Sequence, residues 1–222
     1  MKKWICLITI FLLSCIIIEN DAFSLDLYGY TFDDDAFADK AYFIDGTIEF
    51  GGFIPTGDIS NDLNTALAGS NMSTWIRSQY DPIKDIRTGY TVELHFVDNY
   101  IYNGVGSDLI GWEFGTSEPF SISIYNPQLG SWTDFWNIYT NDIGDMNVGE
   151  IDFDHWGLSS EIEISKIRVS SQYWSNSWID GEIAAFGGLN SNPVPEPTTM
   201  VLLGAGLIGL AGLGRKKFFG KG

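Results

Sequence analysis

Between Leu25 and Gly188 apolar and polar residues alternate in short runs, at the two-residue period of strands rather than at helical spacing. "YTVELHF" sets Tyr90, Val92, Leu94 and Phe96 on one face, and "FSISIY" does the same with Phe120, Ile122 and Ile124. "EIEISKIRV" alternates through Ile162 and Ile164, then slips by one position to Ile167 and Val169, which reads as a bulge. Further strands are predicted for "AYFIDGTIEF" from Ala41, "LIGWEF" from Leu109, "WTDFWNIY" from Trp132 and "IDGEIAAFGG" from Ile179. Gly, Asn, Asp and Pro separate these runs, and the one helical signal is "DLNTALAG" from Asp62. The pattern predicts an all-β fold: an antiparallel two-sheet sandwich of jelly-roll type over residues 25–190.

The two ends read differently. Lys2 and Lys3 precede an apolar stretch from Trp4 to Ile18 and a small-residue site at Ala22-Phe23-Ser24, so residues 1–24 are expected to be a secretory signal peptide. The alternative is a lipoprotein box ending at Cys15, which would place a lipid anchor there. Both cysteines, Cys6 and Cys15, lie in this segment. Cleavage after Ser24 leaves no thiol, which excludes disulfide frameworks, thiolate zinc sites and cysteine nucleophiles.

Charge narrows the partners. Of the 29 Asp and Glu residues three lie outside 25–194, and of the 12 Lys and Arg residues six do, leaving 26 acids against 6 bases and a net charge of −20. Such a surface repels phosphate backbones and anionic headgroups, so no nucleic-acid partner is expected.

At the other end a Pro-rich linker (191–197) leads into an apolar run (198–214) and a basic tail (215–222). The run's 17 residues, as a helix rising about 1.5 Å per residue, reach roughly 25 Å, enough to span a thinned bilayer. Arg215, Lys216 and Lys217 would then stay in the cytoplasm, placing the domain on the outer side. "GAGLIG" within the run matches the dinucleotide-binding glycine pattern, but it lacks the strand-turn-helix setting that the pattern requires.

Val194-Pro195-Glu196-Pro197, the apolar run and Arg215-Lys216-Lys217, in that order, resemble the PEP-CTERM sorting signal of Gram-negative bacteria. The resemblance implies recognition of Pro195, Glu196 and Pro197 by an exosortase, a membrane-embedded cysteine protease that removes the tail. It implies a transient inner-membrane anchor, then release or transfer to the cell surface or extracellular space, in hosts that make exopolysaccharide and biofilm matrix. The middle of the chain, through "AFADKAYF", "VELHFVDNYIYNGVGSDLIGWEFG", "PFSISIY" and "ISKIRV", is similar to the β-sandwich ectodomain of many such proteins and, in outline, to galactose-binding-like jelly rolls. It departs from them at "TALAG", all that remains of a longer family segment, and in a closing strand with only Asp180 and Glu182 as acids.

Two ligand classes follow from the residue types. Calcium takes several oxygen ligands, and Asp39, Asp98, Asp108 and Glu113 are the candidates to hold one as a structural ion. Asp33 to Asp35 and the acids of "NDIGDMNVGEIDFD" add to the supply, although the EF-hand spacing from Asp145 fails at Trp156. Carbohydrate is the second class, because flat indole faces stack on sugar rings; Trp132, Trp136, Trp174 and Trp178 are the candidates, with Trp156 nearby. The competing reading places these tryptophans in the core. His95 and His155 lack nucleophile or metalloprotease spacing, so no catalytic residue and no enzymatic activity is expected. The expected function is association with exopolysaccharide; a purely structural surface protein is the alternative, and a glycoside hydrolase using paired carboxylates the outsider.

Overall fold

The computed structural model describes residues 24–33, 36–81, 86–171 and 181–193. The early strands are β1 (Ser24–Leu27), β2 (Tyr30–Asp33), β3 (Lys40–Gly46), β4 (Ile48–Gly51), β5 (Trp75–Asp81), β6 (Ile86–Thr88), β7 (Tyr90–His95) and β8 (Asn99–Ile101). They are followed by β9 (Leu109–Phe114), β10 (Phe120–Asn126), β11 (Ser131–Trp132), β12 (Trp136–Ile138), β13 (Asn141–Asp142), β14 (Met146–Ile151), β15 (Lys166–Ser170), β16 (Glu182–Gly188) and β17 (Ser191–Pro193). One helix, α1 (Ile59–Leu67), and a 3-10 turn (Phe153–Trp156) complete the described elements.

All the strand pairs are antiparallel. One sheet runs β11-β10-β15-β7-β3, with β12 also paired to β10; the other runs β13-β14-β9-β16-β5-β4, with β6 on β5. The predicted inward residues line up across the first sheet in rows: Ile122, Val169, Val92 and Phe43, and beside them Ile124, Ile167, Leu94 and Ala41. These rows share one core with Ile76, Leu109, Ile151, Ile183 and Phe186 of the second sheet, so the two sheets face each other as the alternation predicts. The chain is a two-sheet antiparallel sandwich.

Close packing explains two glycines in the second sheet. Gly111 of β9 and Gly149 of β14 are directly paired, and a Cβ on either would come within 2.8 Å of the Phe120 ring from the opposite sheet. The pair forms a hollow into which Phe120 drops, edge-on to Phe186 at 5.5 Å between centroids. An alanine at either position overfills that hollow.

The helical signal is borne out by α1, which begins three residues earlier than the pattern suggests. Asp58 caps it by accepting from the N–H groups of Ser60 and Asn61. Buried Asp62 turns back to accept from the N–H and hydroxyl of Thr56 at 2.8 Å each, fastening the preceding loop. Leu63, Ala66 and Leu67 enter the core.

Three details differ from the sequence expectation. The slip between Ile164 and Ile167 is a change of partner, not a bulge: Ile164 bridges Ile101, and the β15 ladder with β7 starts at Lys166. The bulges lie instead between Phe43 and Asp45 in β3 and between Ile183 and Ala185 in β16. An extra hairpin, β1–β2, precedes the expected first strand. The ladder also continues past residue 190, since Ser191–Pro193 pairs with Asn99–Ile101. The expected signal peptide through Phe23, the apolar run 198–214, the sorting residues Pro195, Glu196 and Pro197 and the basic residues Arg215, Lys216 and Lys217 lie outside the described residues. Among the described residues no helix is long and apolar enough to cross a membrane.

Candidate functional site

β10 forms an edge to which two short strands attach, and each carries one of the candidate tryptophans. Trp132 of β11 lies opposite Tyr125, whereas Trp136 of β12 lies opposite Ile122. Tyr125 and Ile122 differ in strand parity, so the two indoles emerge on opposite faces of β10. Trp132 and Trp136 therefore do not form one coplanar platform.

Trp136 is 49 % exposed, and its neighbours in sequence Phe135 and Tyr139 are 41 % and 70 % exposed. Its ring lies against His155 of the 3-10 turn, with centroids 3.6 Å apart, and His155 meets Trp156 edge-on at 5.2 Å. Trp156 donates its indole N–H to the Asp134 carbonyl at 3.1 Å and packs its other side on the core. The 3-10 turn is thus pinned to the β11–β12 connection, and it holds His155 as a rigid backing for Trp136. The result is a ridge of exposed aromatic surface in which Trp136 rests on His155, itself exposed, and His155 on half-buried Trp156, an arrangement that can present an indole face to a flat, partly apolar ligand.

Trp132 is half-buried and held differently. The Arg168 guanidinium lies 4.0 Å from its ring centroid, and Tyr125 meets it edge-on at 5.3 Å. Arg168 is itself fixed by Glu93 Oε2, which accepts from Nε and Nη2 at 3.1 Å each, while Glu93 Oε1 lies 2.7 Å from His95 Nε2. Arg168 was legible only as the polar position between Ile167 and Val169, which gave no hint of its partners. Phe135 and Tyr139 were equally hidden, and His155, weighed only for catalytic spacing, gave no sign of its contact with Trp136. Trp174 and Trp178 lie outside the described residues.

The four calcium candidates do not form one cluster: Asp39 and Asp98 are neighbours, whereas Asp108 and Glu113 stand at the two ends of β9. Asp39 Oδ2 accepts from the N–H groups of Val97 and Asp98, tying down the turn after β7. Asp108 is fully buried at the start of β9 and accepts from the N–H groups of Gly104 and Phe153 and from the Asn190 amide, at 2.6, 2.8 and 2.9 Å. Burial pushes its carboxyl up from the ordinary range, while those three donors oppose the shift. Glu113 is five residues further along the same strand, roughly 17 Å away. Its Oε2 accepts from Asn147 at 2.8 Å, but Oε1 is buried without a hydrogen-bond partner. Burial pushes Glu113 up to about 8. Among the described residues no three His, Cys, Asp or Glu side chains converge as a metal would require. Asp108 is a cross-brace between three segments, and the near-EF-hand segment from Asp145 is not a loop but β14 running into the 3-10 turn, preceded by a hairpin turn that Asp142 closes by accepting from Gly144.

Fold and surface together define an acidic two-sheet β-sandwich with an aromatic edge, followed by a separate C-terminal signal. Residues 193–216 match the family model of the PEP-CTERM protein-sorting motif, so the chain carries the sorting signal of an exosortase substrate, a mark of export and of surface association after processing. No curated protein matches the chain. Among solved structures, a fucose-binding module of Streptococcus pneumoniae aligns at 13 % identity and TM-score 0.40, covering 70 % of this chain and 96 % of that one. The C-terminal domain of a Bacteroides fragilis chitobiase aligns at 11 % identity and TM-score 0.43, covering 70 % and 95 %. A Clostridium perfringens module, CBM32-4, solved with GlcNAc-α-1,4-galactose, aligns at 13 % identity and TM-score 0.39, covering 76 % and 95 %. At these TM-scores the likeness is one of outline, and the assignment of the fold rests on the strand pairing described above.

Proposed function

We propose that this protein is a surface or matrix module that binds exopolysaccharide through the aromatic ridge of β12, and that it acts by binding and not by catalysis. The observation that carries the reading is Trp136 at the start of β12: half-exposed, backed by His155 and flanked by exposed Phe135 and Tyr139, whereas Trp112 within β9 is fully buried. A soluble domain leaves three neighbouring aromatic side chains in water at a cost that a ligand face offsets. Sorting by an exosortase places that face outside the cell, where glycans are the abundant partners.

The test is affinity electrophoresis of the full-length chain in gels containing the exopolysaccharide of its host. Wild type is retarded, and Trp136→Ala loses about tenfold in affinity, equivalent to about 1.4 kcal/mol, with its melting temperature little changed. Equal retardation of both proteins removes Trp136 from the site. No retardation of wild type by any glycan favours the purely structural reading.

A further inference from the structure

The outer face of the first sheet carries charge of the wrong sign for this domain. Three of the six cations between residues 25 and 194, Lys40, Lys166 and Arg168, stand on it. Lys40 and Lys166 are both directly opposite His95, one on each side, so the three form a row across β3, β7 and β15 with the lysine backbones about 10 Å apart. Lys166 extends over the Tyr125 ring, 5.5 Å from its centroid, and Tyr125 leads on to Trp132. In the next row Tyr42, Glu93 and Arg168 stand opposite one another, and Tyr42, 41 % exposed, meets His95 at 4.6 Å.

Two acids share this face: Glu93 at its centre, which Arg168 and His95 both hold, and exposed Asp45 at the end of β3, opposite Thr91. Neither Lys40 nor Lys166 forms an ion pair among the described residues. Two unpaired ammonium groups beside three aromatic rings thus lie on a domain of net charge −20, whose own acids are numerous enough to have paired them.

We propose that this face docks a carboxylate-bearing polysaccharide, with Lys40 and Lys166 meeting the sugar carboxylates and Tyr42, Tyr125 and Trp132 the sugar rings. Charge density selects this occupant. A nucleic acid brings one charge per about 1.7 Å of duplex, and two free cations cannot offset its repulsion by the remaining acids. A uronic-acid polymer brings one charge per sugar on a single strand, each on a ring with an apolar face that the aromatic side chains can meet. A second protein chain is disfavoured because the patch lacks the aliphatic centre of a stable interface. The inference rests on the glycan-binding reading for its ligand class, but it uses a different face from Trp136, so the two fail separately.

The experiment is affinity electrophoresis of the full-length chain with polygalacturonate and with neutral dextran and galactan, at low and high salt. Wild type binds polygalacturonate, and the affinity falls steeply with salt. The Lys40→Gln, Lys166→Gln double variant loses about tenfold for polygalacturonate and nothing for any neutral glycan. Both lysines are on the exposed polar face, so the variant is expected to keep the wild-type circular dichroism and melting temperature. Binding of neutral glycan alone overturns this inference and leaves the Trp136 reading standing. Equal polygalacturonate binding by the variant overturns it as well. So does concentration-dependent dimerisation of wild type that the variant abolishes, which would assign the face to a second copy of the chain.

Discussion

β7 and β9 sit in opposite sheets and reach the same core, but only β7 has a wet side. Along β7 buried and half-buried residues alternate, whereas β9 is buried at every position from Leu109 to Glu113. The difference lies in what covers the second sheet from outside. Phe32 of the β1–β2 hairpin and Phe37 pack on Trp112 at centroid distances of 5.2 and 5.8 Å, and Ile110, Met146, Val148, Ala184 and Ala185 join them in a second core. One sheet is the middle layer of the molecule; the other is its outer wall, with Tyr42, His95, Lys166 and Arg168 on its outer face.

The contrast implies unequal responses to substitution at outward-pointing positions. Trp112→Ala removes the centre of the second core, and an equilibrium urea titration should show a loss of about 3–5 kcal/mol. Thr91→Ala, at an outward position of β7, should cost about 0.5 kcal/mol or less by the same titration. Comparable losses at the two sites would break the distinction between a middle layer and a wall.

Two glutamates sharpen it. Glu93, on the wall, is held by Arg168 and His95, whereas Glu113, in the middle layer, has one oxygen without a donor. Burial lifts the Glu113 carboxyl from 4.5 to about 8, so the folded chain retains a proton that the unfolded chain gives up between those values. The contribution is therefore fully present below about pH 4.5 and is lost as pH rises through about 8. Within that window the slope is at most about 1.4 kcal/mol per pH unit. Glu113→Gln keeps the acceptor for Asn147 and removes the titration. Its stability relative to wild type should rise with pH across the window, as followed by thermal melts at a series of pH values. A constant difference from wild type would contradict a neutral, buried Glu113.

A small effect is also expected for Arg168→Ala. The ion pair with Glu93 is partly exposed, so its removal should cost about 1 kcal/mol or less in the same urea titration.

The same contrast explains what could be read from the sequence. "YTVELHF" and the "KIRV" half of "EIEISKIRV" revealed their inward residues because they belong to the wall, where water enforces alternation. "FSISIY" revealed its own because serines mark its other face, although Ser121 and Ser123 are themselves buried and hydrogen-bonded to Asn137 and Thr133. "LIGWEF" and "IDGEIAAFGG" showed that strands were present but not which face was which, since burial on both sides erases the phase. The β1–β2 hairpin escaped notice although Leu25 and Leu27 of one strand pair with Phe32 and Tyr30 of the other on a single apolar face. Its turn is Tyr28-Gly29, with φ of 51° and 87°, and a tyrosine in the left-handed region lacks the Asn-Gly signature that announces such turns. The sites were less legible than the fold. Trp132 and Trp136 are spaced as if they shared a surface, but they attach to β10 through separate strands at opposite parity. Asp108 and Glu113 looked like ligands for an ion, whereas three donors bind the first and burial surrounds the second.

The most direct test of the account compares the exposed and the buried tryptophan in one spectrum. The protein is labelled with 5-fluorotryptophan, its fluorine resonances are assigned with single Trp→Phe variants, and the exopolysaccharide that retards it in gels is titrated in. The Trp136 resonance is expected to shift with ligand while that of Trp112 stays in place. A Trp136 resonance that remains fixed at saturating ligand would contradict it.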